Sequence, residues 1–189
     1  LRTLDIGADK QLPLGQDPAA PNPALGLRGI RLSLKFPELF RTQVRAILRA
    51  SHHGDARILL PMLASLGELD QALALIDSAK TELKAEKIKF DPATPIGGMI
   101  EIPSAALAAE WFARRLDFLS IGTNDLIQYT LAIDRTDDAV AHLYDPLNPG
   151  VIQLIAHTLK VGRRLRKPVS VCGEMAGDPK LTRLLLGMG

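Results

Sequence analysis

The chain has 189 residues, 47% hydrophobic and 23% charged, with a formal net charge of +2, which is ordinary composition for a globular protein with one sizeable core. Only 4% of residues are aromatic and lysine and arginine form no run, so the sequence lacks the basic surface of a nucleic-acid-binding protein. No apolar stretch is long enough for a membrane span, and a single cysteine excludes an internal disulfide, so we expect a cytoplasmic protein.

The first half of the chain alternates between strand and helix signals. Residues 1–6 have the pattern of a strand end, and residues 7–27 form a long loop rich in proline and glycine. A helix is predicted from Pro37 to Ala50, because proline favours the first turn and apolar residues recur on one face. A continuous apolar strand at 57–62 follows, and then a helix from Ser65 to about Lys87.

The second half continues this alternation. In chain order we predict a strand at 96–102, a helix at 104–115, a strand at 118–121, a polar turn at 122–125, an apolar run of helical length at 126–131, a polar loop at 137–149, a helix at 151–166, a strand at 168–174 and a helix at 179–186. Such alternation is typical of parallel βαβ units, and it fits a doubly wound sheet or part of an eight-stranded barrel. The sequence begins without methionine and ends in apolar residues, so we expect residues 1–189 to be a fragment of a larger protein.

Polar side chains follow four of the predicted strands. In chain order they are Arg2 and Asp5, then Glu101, then Asn124 and Asp125, and finally Cys172 and Glu174. Because parallel strands end at one edge of a sheet, where α/β proteins bind ligands, we expect these side chains to share one rim. The alternative for residues 123–125 is that they only cap the following helix, since their types favour such positions.

The residue types on this rim suit a phosphorylated ligand. Two carboxylates on neighbouring strands, Glu101 and Asp125, could hold Mg²⁺, although Glu101 could instead be a buried acid paired with a basic residue. Arg2, Arg28 and Arg135 border glycine-rich or polar turns, and arginine binds phosphate and carboxylate through two parallel hydrogen bonds. These features predict a small, highly anionic substrate.

Cys172 has two interpretations. A buried cysteine is commonly a small core residue. Its position at a strand end on the predicted rim also suits a thiol that passes a proton to a substrate carbon as a general acid.

Several segments together resemble a known family. They read RTLDIGADKQLP, NPALGLRGIR, IGGMIEIPSAA, SIGTNDLIQYTLAIDR and VCGEMAGDP, in that order. This combination resembles the phosphoenolpyruvate-utilising enzymes, and within them the Enzyme I group of the sugar phosphotransferase system. The resemblance covers nearly the whole chain.

The resemblance implies a fold and a set of roles. The fold would be a (β/α)8 TIM barrel, incomplete at both ends in this chain. Glu101 and Asp125 would hold Mg²⁺. The residues expected to bind phosphoenolpyruvate are Arg2, Arg28, Asn124, Asp125 and Arg135. Cys172 would protonate the enolate to give pyruvate.

The same resemblance implies partners. A histidine on a separate domain of the same enzyme would accept the phosphoryl group and pass it to the carrier protein HPr, and the full-length enzyme would be a homodimer. We expect this fragment alone to be unable to complete phosphotransfer. Alternatives are the barrel of a pyruvate phosphate dikinase or phosphoenolpyruvate synthase, a fused multiphosphoryl transfer protein, or a non-catalytic binding or dimerisation module.

Overall fold

A computed structural model describes residues 1–6 and 22–189. These residues form two compact units: the first is Leu1–Met62 with Gly67–Thr94, and the second is Leu63–Leu66 with Pro95–Gly189. Most of the loop predicted at 7–27 lies outside the described residues. Within the described part of the chain, every helix is too short or too polar to cross a membrane.

The first unit surrounds one short strand with helices. Its elements are a 3₁₀ turn at Pro23–Leu25, α1 (Gly29–Lys35), α2 (Pro37–Ala50), β1 (Ile58–Leu60) and α3 (Leu66–Ala85), whose first residue is assigned to the second unit. Helix α2 has the predicted bounds. Helix α1 was not predicted, because glycines flank Arg28 and resemble a turn.

The core of the first unit follows the apolar spacing of its helices. The buried residues that recur along α2 and α3 are Phe40, Val44, Ile47, Leu48, Leu69, Ala72, Ile76, Ala79 and Leu83. The opening segment pairs with β1 through a single parallel bridge between Arg2 and Leu59, rather than as a full strand. Thr3 N–H donates to the Leu59 carbonyl at 2.9 Å, and Leu59 N–H donates to the Leu1 carbonyl at 2.9 Å. This bridge places residues 2–5 beside the end of β1.

The second unit is built on parallel strands connected by helices. Its elements are β2 (Ile96–Ile100), α4 (Pro103–Leu107), α5 (Ala109–Ala113), β3 (Phe118–Gly122), α6 (Thr123–Leu131), a 3₁₀ turn at Ala141–Leu143, α7 (Pro149–Leu165), β4 (Val169–Cys172), α8 (Glu174–Gly177) and α9 (Pro179–Met188). Helices α4 and α5 pack against α7. The mixed α/β class is therefore confirmed, whereas a complete eight-stranded barrel stays a prediction.

Strand order and register bring the polar strand ends together. Strands β2, β3 and β4 are neighbours in sequence order and pair in parallel. Ile100 pairs with Ile121, and Gly122 pairs with Cys172. Because all three strands run in the same direction, the residues that follow them lie at one edge, as the sequence predicted.

Two local predictions differ from the structure. The helix predicted at 104–115 is divided at Ala108, whose backbone (φ −91°, ψ 16°) leaves the helical region. The polar turn predicted at 122–125 does not form a loop, because α6 begins at Thr123 directly after β3 ends at Gly122. Residues 123–125 are therefore the first residues of α6 and not its cap, because the N-cap position is Gly122.

Candidate functional site

The end of β2 carries a deeply buried acid. Glu101 directly follows β2, and only 1% of its surface is exposed. Its carboxylate lies against the backbone of Gly122 on the neighbouring strand: a Cβ atom at Gly122 would be 2.7 Å from Glu101 Oε2. A side chain at position 122 would therefore displace the carboxylate. The absence of a side chain there leaves room for an acid at this edge of the sheet.

The first turn of α6 supplies the next group of polar side chains. Thr123, Asn124 and Asp125 are its first three residues, and Asp125 is an acid at a helix end where the backbone dipole favours negative charge. Thr123 Oγ1 donates to the Cys172 carbonyl at 2.9 Å, which ties this turn to the end of β4. The positions of Asn124 and Asp125 are therefore fixed both by α6, which contains them, and by the end of β4.

Asn124 links the turn to the segment after β4. Its Oδ1 accepts a hydrogen bond from Glu174 N–H at 2.8 Å, and its Nδ2 donates to Glu174 Oε1 at 3.4 Å. This close approach depends on Gly173, which has φ +106° and ψ −178°. A Cβ atom there would be 2.3 Å from Thr123 Oγ1 and 2.8 Å from Asn124 Oδ1.

Arg135 contacts the same acid, Glu174. Its Nη1 lies 3.3 Å from Glu174 Oε1. Its backbone N–H donates to Oε1 of the buried Gln128 at 3.0 Å, so a side chain of α6 fixes the position of the Arg135 backbone beyond the end of the helix. Glu174 therefore contacts both Asn124 and Arg135, two residues predicted to bind substrate.

Tyr144 joins this cluster from the loop before α7. Its hydroxyl donates to Asn124 Oδ1 at 3.5 Å. Burial raises the pKa of the Tyr144 phenol, and the negative charges of Glu174 and Asp125 raise it further, while Arg135 opposes them. The phenol therefore stays neutral at physiological pH. Sequence reasoning missed this residue, because it stands among ordinary turn formers.

Cys172 lies at the end of β4, half-buried, with polar neighbours on the same face of the sheet. Its thiol donates to the Ile121 carbonyl at 3.4 Å. It accepts from the Ser120 hydroxyl at 3.7 Å, and Ser120 in turn accepts from Ser170 at 3.1 Å. Cys172 is thus not an isolated apolar core residue, and its carbonyl ties it to the first turn of α6.

The donor set at the ends of β2 and β3 suits Mg²⁺. The ion takes hard oxygen ligands and is commonly held by one or two carboxylates completed by water and substrate phosphate. Glu101 and Asp125 offer such oxygens, and Gly122 leaves space at the Glu101 carboxylate. Across residues 1–6 and 22–189, no cluster of three or more His, Cys, Asp or Glu side chains could hold a metal ion. Two carboxylates, completed by water and substrate phosphate, would be enough to hold the ion.

The first unit holds the two remaining predicted arginines around one acid. Arg28 Nε and Nη2 lie 3.1 Å and 2.8 Å from the two carboxylate oxygens of Asp5. Arg2 Nη1 lies 3.6 Å from Asp5 Oδ2. The structure therefore brings Arg2 and Arg28 together, as it brings together Asn124 and Arg135 in the second unit.

Sequence comparisons identify similar proteins. All of the chain, residues 1–189, matches the family described as "PEP-utilising enzyme, PEP-binding domain". It is 60% identical over 191 residues to the phosphoenolpyruvate-protein phosphotransferase of Cupriavidus necator, covering 100% of this chain and 33% of that protein. Proteins of the same name from Geobacillus stearothermophilus and Bacillus subtilis are 49% and 47% identical over 189 residues, with the same coverage. The resemblance seen in the sequence is confirmed, and the chain spans about a third of these relatives.

A solved structure shares the fold. A citrate lyase from Burkholderia xenovorans aligns with 69% of this chain and 40% of its own, with a TM-score of 0.52 and 21% sequence identity. At this identity the likeness concerns the fold alone.

Proposed function

Because the chain belongs to the family of PEP-utilising enzymes, as their PEP-binding domain, we propose that it binds phosphoenolpyruvate (PEP) for phosphoryl transfer to a protein histidine. The acceptor would be a histidine on a separate domain of the same enzyme, and the carrier HPr would receive the group next. The shared name of the relatives favours this phosphotransferase over the dikinase and synthase alternatives.

The observation that carries the proposal is the Asn124–Glu174–Arg135 cluster at the carboxyl ends of parallel strands. The Glu174 carboxylate lies 3.3 Å from Arg135 Nη1 and accepts from Asn124 Nδ2 at 3.4 Å, next to the first turn of α6. Arginine and asparagine donors suit the phosphate and carboxylate oxygens of PEP. Arg2 and Arg28 of the first unit stay predicted ligands of the anionic oxygens of PEP, because guanidinium groups suit such oxygens.

Each residue would have a separate task during transfer. Arg135 and Asn124 orient the substrate and oppose its negative charge, which is the main contribution a protein makes to phosphoryl transfer. Glu101 and Asp125 would hold Mg²⁺, which neutralises phosphate charge when bound. As the phosphorus–oxygen bond breaks, its electron pair stays on the oxygen and leaves the enolate of pyruvate. The Cys172 thiol then gives its proton to the CH₂ carbon, forming the methyl group of pyruvate and leaving a thiolate.

The wider setting of this activity is also a proposal. The full enzyme would be a cytoplasmic homodimer whose PEP site sits at the carboxyl end of a (β/α)8 barrel, and it would start sugar uptake by the phosphotransferase system. The consecutive parallel order of β2, β3 and β4 is the order that neighbouring barrel strands would have, although one half of a doubly wound sheet shares it.

The first test is titration calorimetry of PEP into the chain with and without Mg²⁺. We expect binding that depends on Mg²⁺, and we expect Asp125→Asn to remove that dependence. Asp138→Asn is the matched control, since Asp138 is an exposed acid outside the cluster with the same charge change. A folded chain that binds no PEP in either condition refutes the proposed function.

A further inference from the structure

Asp5 is a buried acid that the predicted reaction does not use. Its side chain is 1% exposed and contacts Arg28, whose side chain is 10% exposed. The two carboxylate oxygens face the Arg28 Nε and Nη2 atoms at 3.1 Å and 2.8 Å, which is the paired geometry that fixes the plane of a guanidinium. Because both groups are withdrawn from water, the pair cannot exchange partners as a surface ion pair does.

A second guanidinium reaches the same acid. Arg2 Nη1 lies 3.6 Å from Asp5 Oδ2, and Arg2 Nη2 donates to the Asp5 carbonyl at 3.4 Å. Arg2 is 45% exposed, so its head group is anchored by Asp5 at one end and open to solvent elsewhere. Two cations this close repel each other, and a shared carboxylate offsets the repulsion. Asp5 therefore allows the guanidinium groups of Arg2 and Arg28 to lie close together.

The backbone around this cluster is shaped to allow the contact. Gly29, next to Arg28, has φ +53°, and a Cβ atom there would be 2.7 Å from the Met62 side chain and 3.4 Å from Asp5 Oδ1. Met62 also has a left-handed backbone, with φ 59°, which is costly for a residue other than glycine. Ile30 N–H donates to the Pro61 carbonyl at 3.3 Å and holds the two segments together. Such strained positions persist only where the surrounding structure fixes them.

We propose that Asp5 is a positioning residue for Arg2 and Arg28, the two arginines of the first unit that are predicted to bind PEP: it fixes the plane of Arg28 and draws Arg2 beside it before the substrate arrives. This inference rests on the proposed function. Arginines that are already ordered lose less conformational entropy on binding an anion, so the carboxylate strengthens anion binding although its own charge opposes it.

The sign of the effect separates positioning from simple neutralisation. If Asp5 only lowered the local positive charge, removing its charge would strengthen the binding of PEP, which is strongly anionic. If Asp5 holds the guanidinium groups in place, removing its charge weakens binding despite the more favourable field. The two roles therefore predict opposite changes in the dissociation constant.

The test is calorimetric titration of PEP, with Mg²⁺, into the wild-type chain and three variants. We expect Asp5→Asn to weaken PEP binding by about tenfold, because two arginine side chains then have to be ordered when the anion binds. We expect Asp55→Asn, an equal charge change on an exposed turn of the same unit, to leave binding unchanged or slightly stronger. Asp5→Glu keeps the charge but moves the carboxylate, so positioning predicts weaker binding and neutralisation predicts no change.

A second measurement does not need the substrate. In ¹H–¹⁵N NMR spectra, the Arg28 Nε–H should exchange slowly with water in the wild type and rapidly in Asp5→Asn. Equal or tighter PEP binding by Asp5→Asn and Asp5→Glu, or unchanged exchange at Arg28, overturns the inference. A wild-type chain that binds no PEP instead refutes the proposed function, and the exchange rate then decides by itself whether Asp5 orders Arg28. If Asp5→Asn does not fold, Asp5→Glu carries the comparison.

Discussion

Replacing Gly173 by alanine should damage the candidate site more than its single methyl group suggests. The backbone there has φ +106° and ψ −178°, a region that only glycine adopts readily. The new Cβ atom would lie 2.3 Å from Thr123 Oγ1 and 2.8 Å from Asn124 Oδ1, both well inside contact distance. Either the backbone or these two side chains must therefore move.

The energetic costs of these changes indicate which atoms move. Backbone strain in this region costs about 1–3 kcal/mol, and compressing packed atoms costs about 1–3 kcal/mol more. A contact of 2.3 Å is too short to persist, so Thr123 and Asn124 both turn away, which breaks their hydrogen bonds to the Cys172 carbonyl and the Glu174 N–H at a cost of about 1 kcal/mol each. The backbone strain remains. We expect the free energy of unfolding to fall by about 3–5 kcal/mol and PEP binding to be lost.

Urea unfolding followed by circular dichroism measures the first effect, and calorimetric titration measures the second. Gly177→Ala is the matched control, because nothing lies within 4 Å of a Cβ atom at that position. It lies in α8, and alanine in place of a helical glycine changes stability by no more than about 1 kcal/mol, in the favourable direction. A Gly173→Ala variant as stable as the wild type, with PEP affinity intact, would refute this reasoning.

Three further predictions concern separate features. Because the pKa of Tyr144 is raised, the neutral phenol stabilises the fold below the unfolded tyrosine pKa of about 10, and that contribution is lost as pH rises through the folded pKa. Tyr144→Phe should therefore flatten the decline of the thermal midpoint above about pH 10, and an unchanged decline contradicts the assignment. Glu82 accepts hydrogen bonds from Arg41 and Arg45 at 3.0 Å each, so Glu82→Gln should lower the thermal midpoint in low salt. The change should be smaller in 1 M NaCl, where charges are screened within about 3 Å, and equal changes at both salt concentrations would count against an ionic contribution. Cys172→Ala should keep PEP affinity within about threefold, since a proton donor acts mainly in the transition state. The variant should lose the exchange of pyruvate methyl protons with D₂O, measured by NMR, and exchange at the wild-type rate would exclude the thiol as proton donor.

The helices and strands were largely predictable because their causes are local. The apolar spacing of Phe40, Val44, Ile47 and Leu48 identifies α2 with its observed bounds. Helix α1 was missed because glycines near Arg28 signal a turn, whereas Gly29 adopts φ +53° to begin the helix. A Cβ atom at Gly29 would also lie 2.7 Å from the Met62 side chain, and this contact between residues distant in sequence is not visible in the local pattern.

The candidate site was predictable in its residue types but not in its pairings. Parallel strands place Glu101, Asn124 and Cys172 at one edge, and the sequence pattern is enough to infer this. Nothing in the pattern indicates that Tyr144 reaches Asn124, since a loop can present its tyrosine in many directions. The pairing of Asp5 with Arg28 likewise depends on how the chain returns after twenty-two intervening residues, which local propensities do not determine.

Because α6 follows β3 directly, residues inserted between these two elements would displace the candidate site. Gly122 ends the strand and Thr123 begins the helix, with no residue between them to absorb a difference. One residue added after Gly122 would rotate the side chains of α6 by about 100° around the helix axis and shift them by about 1.5 Å. Asn124 and Asp125 would then point away from Gly173 and the sheet edge. Insertions should therefore be tolerated in the loop before α7 but not at this junction, even though both connect a regular element to the next.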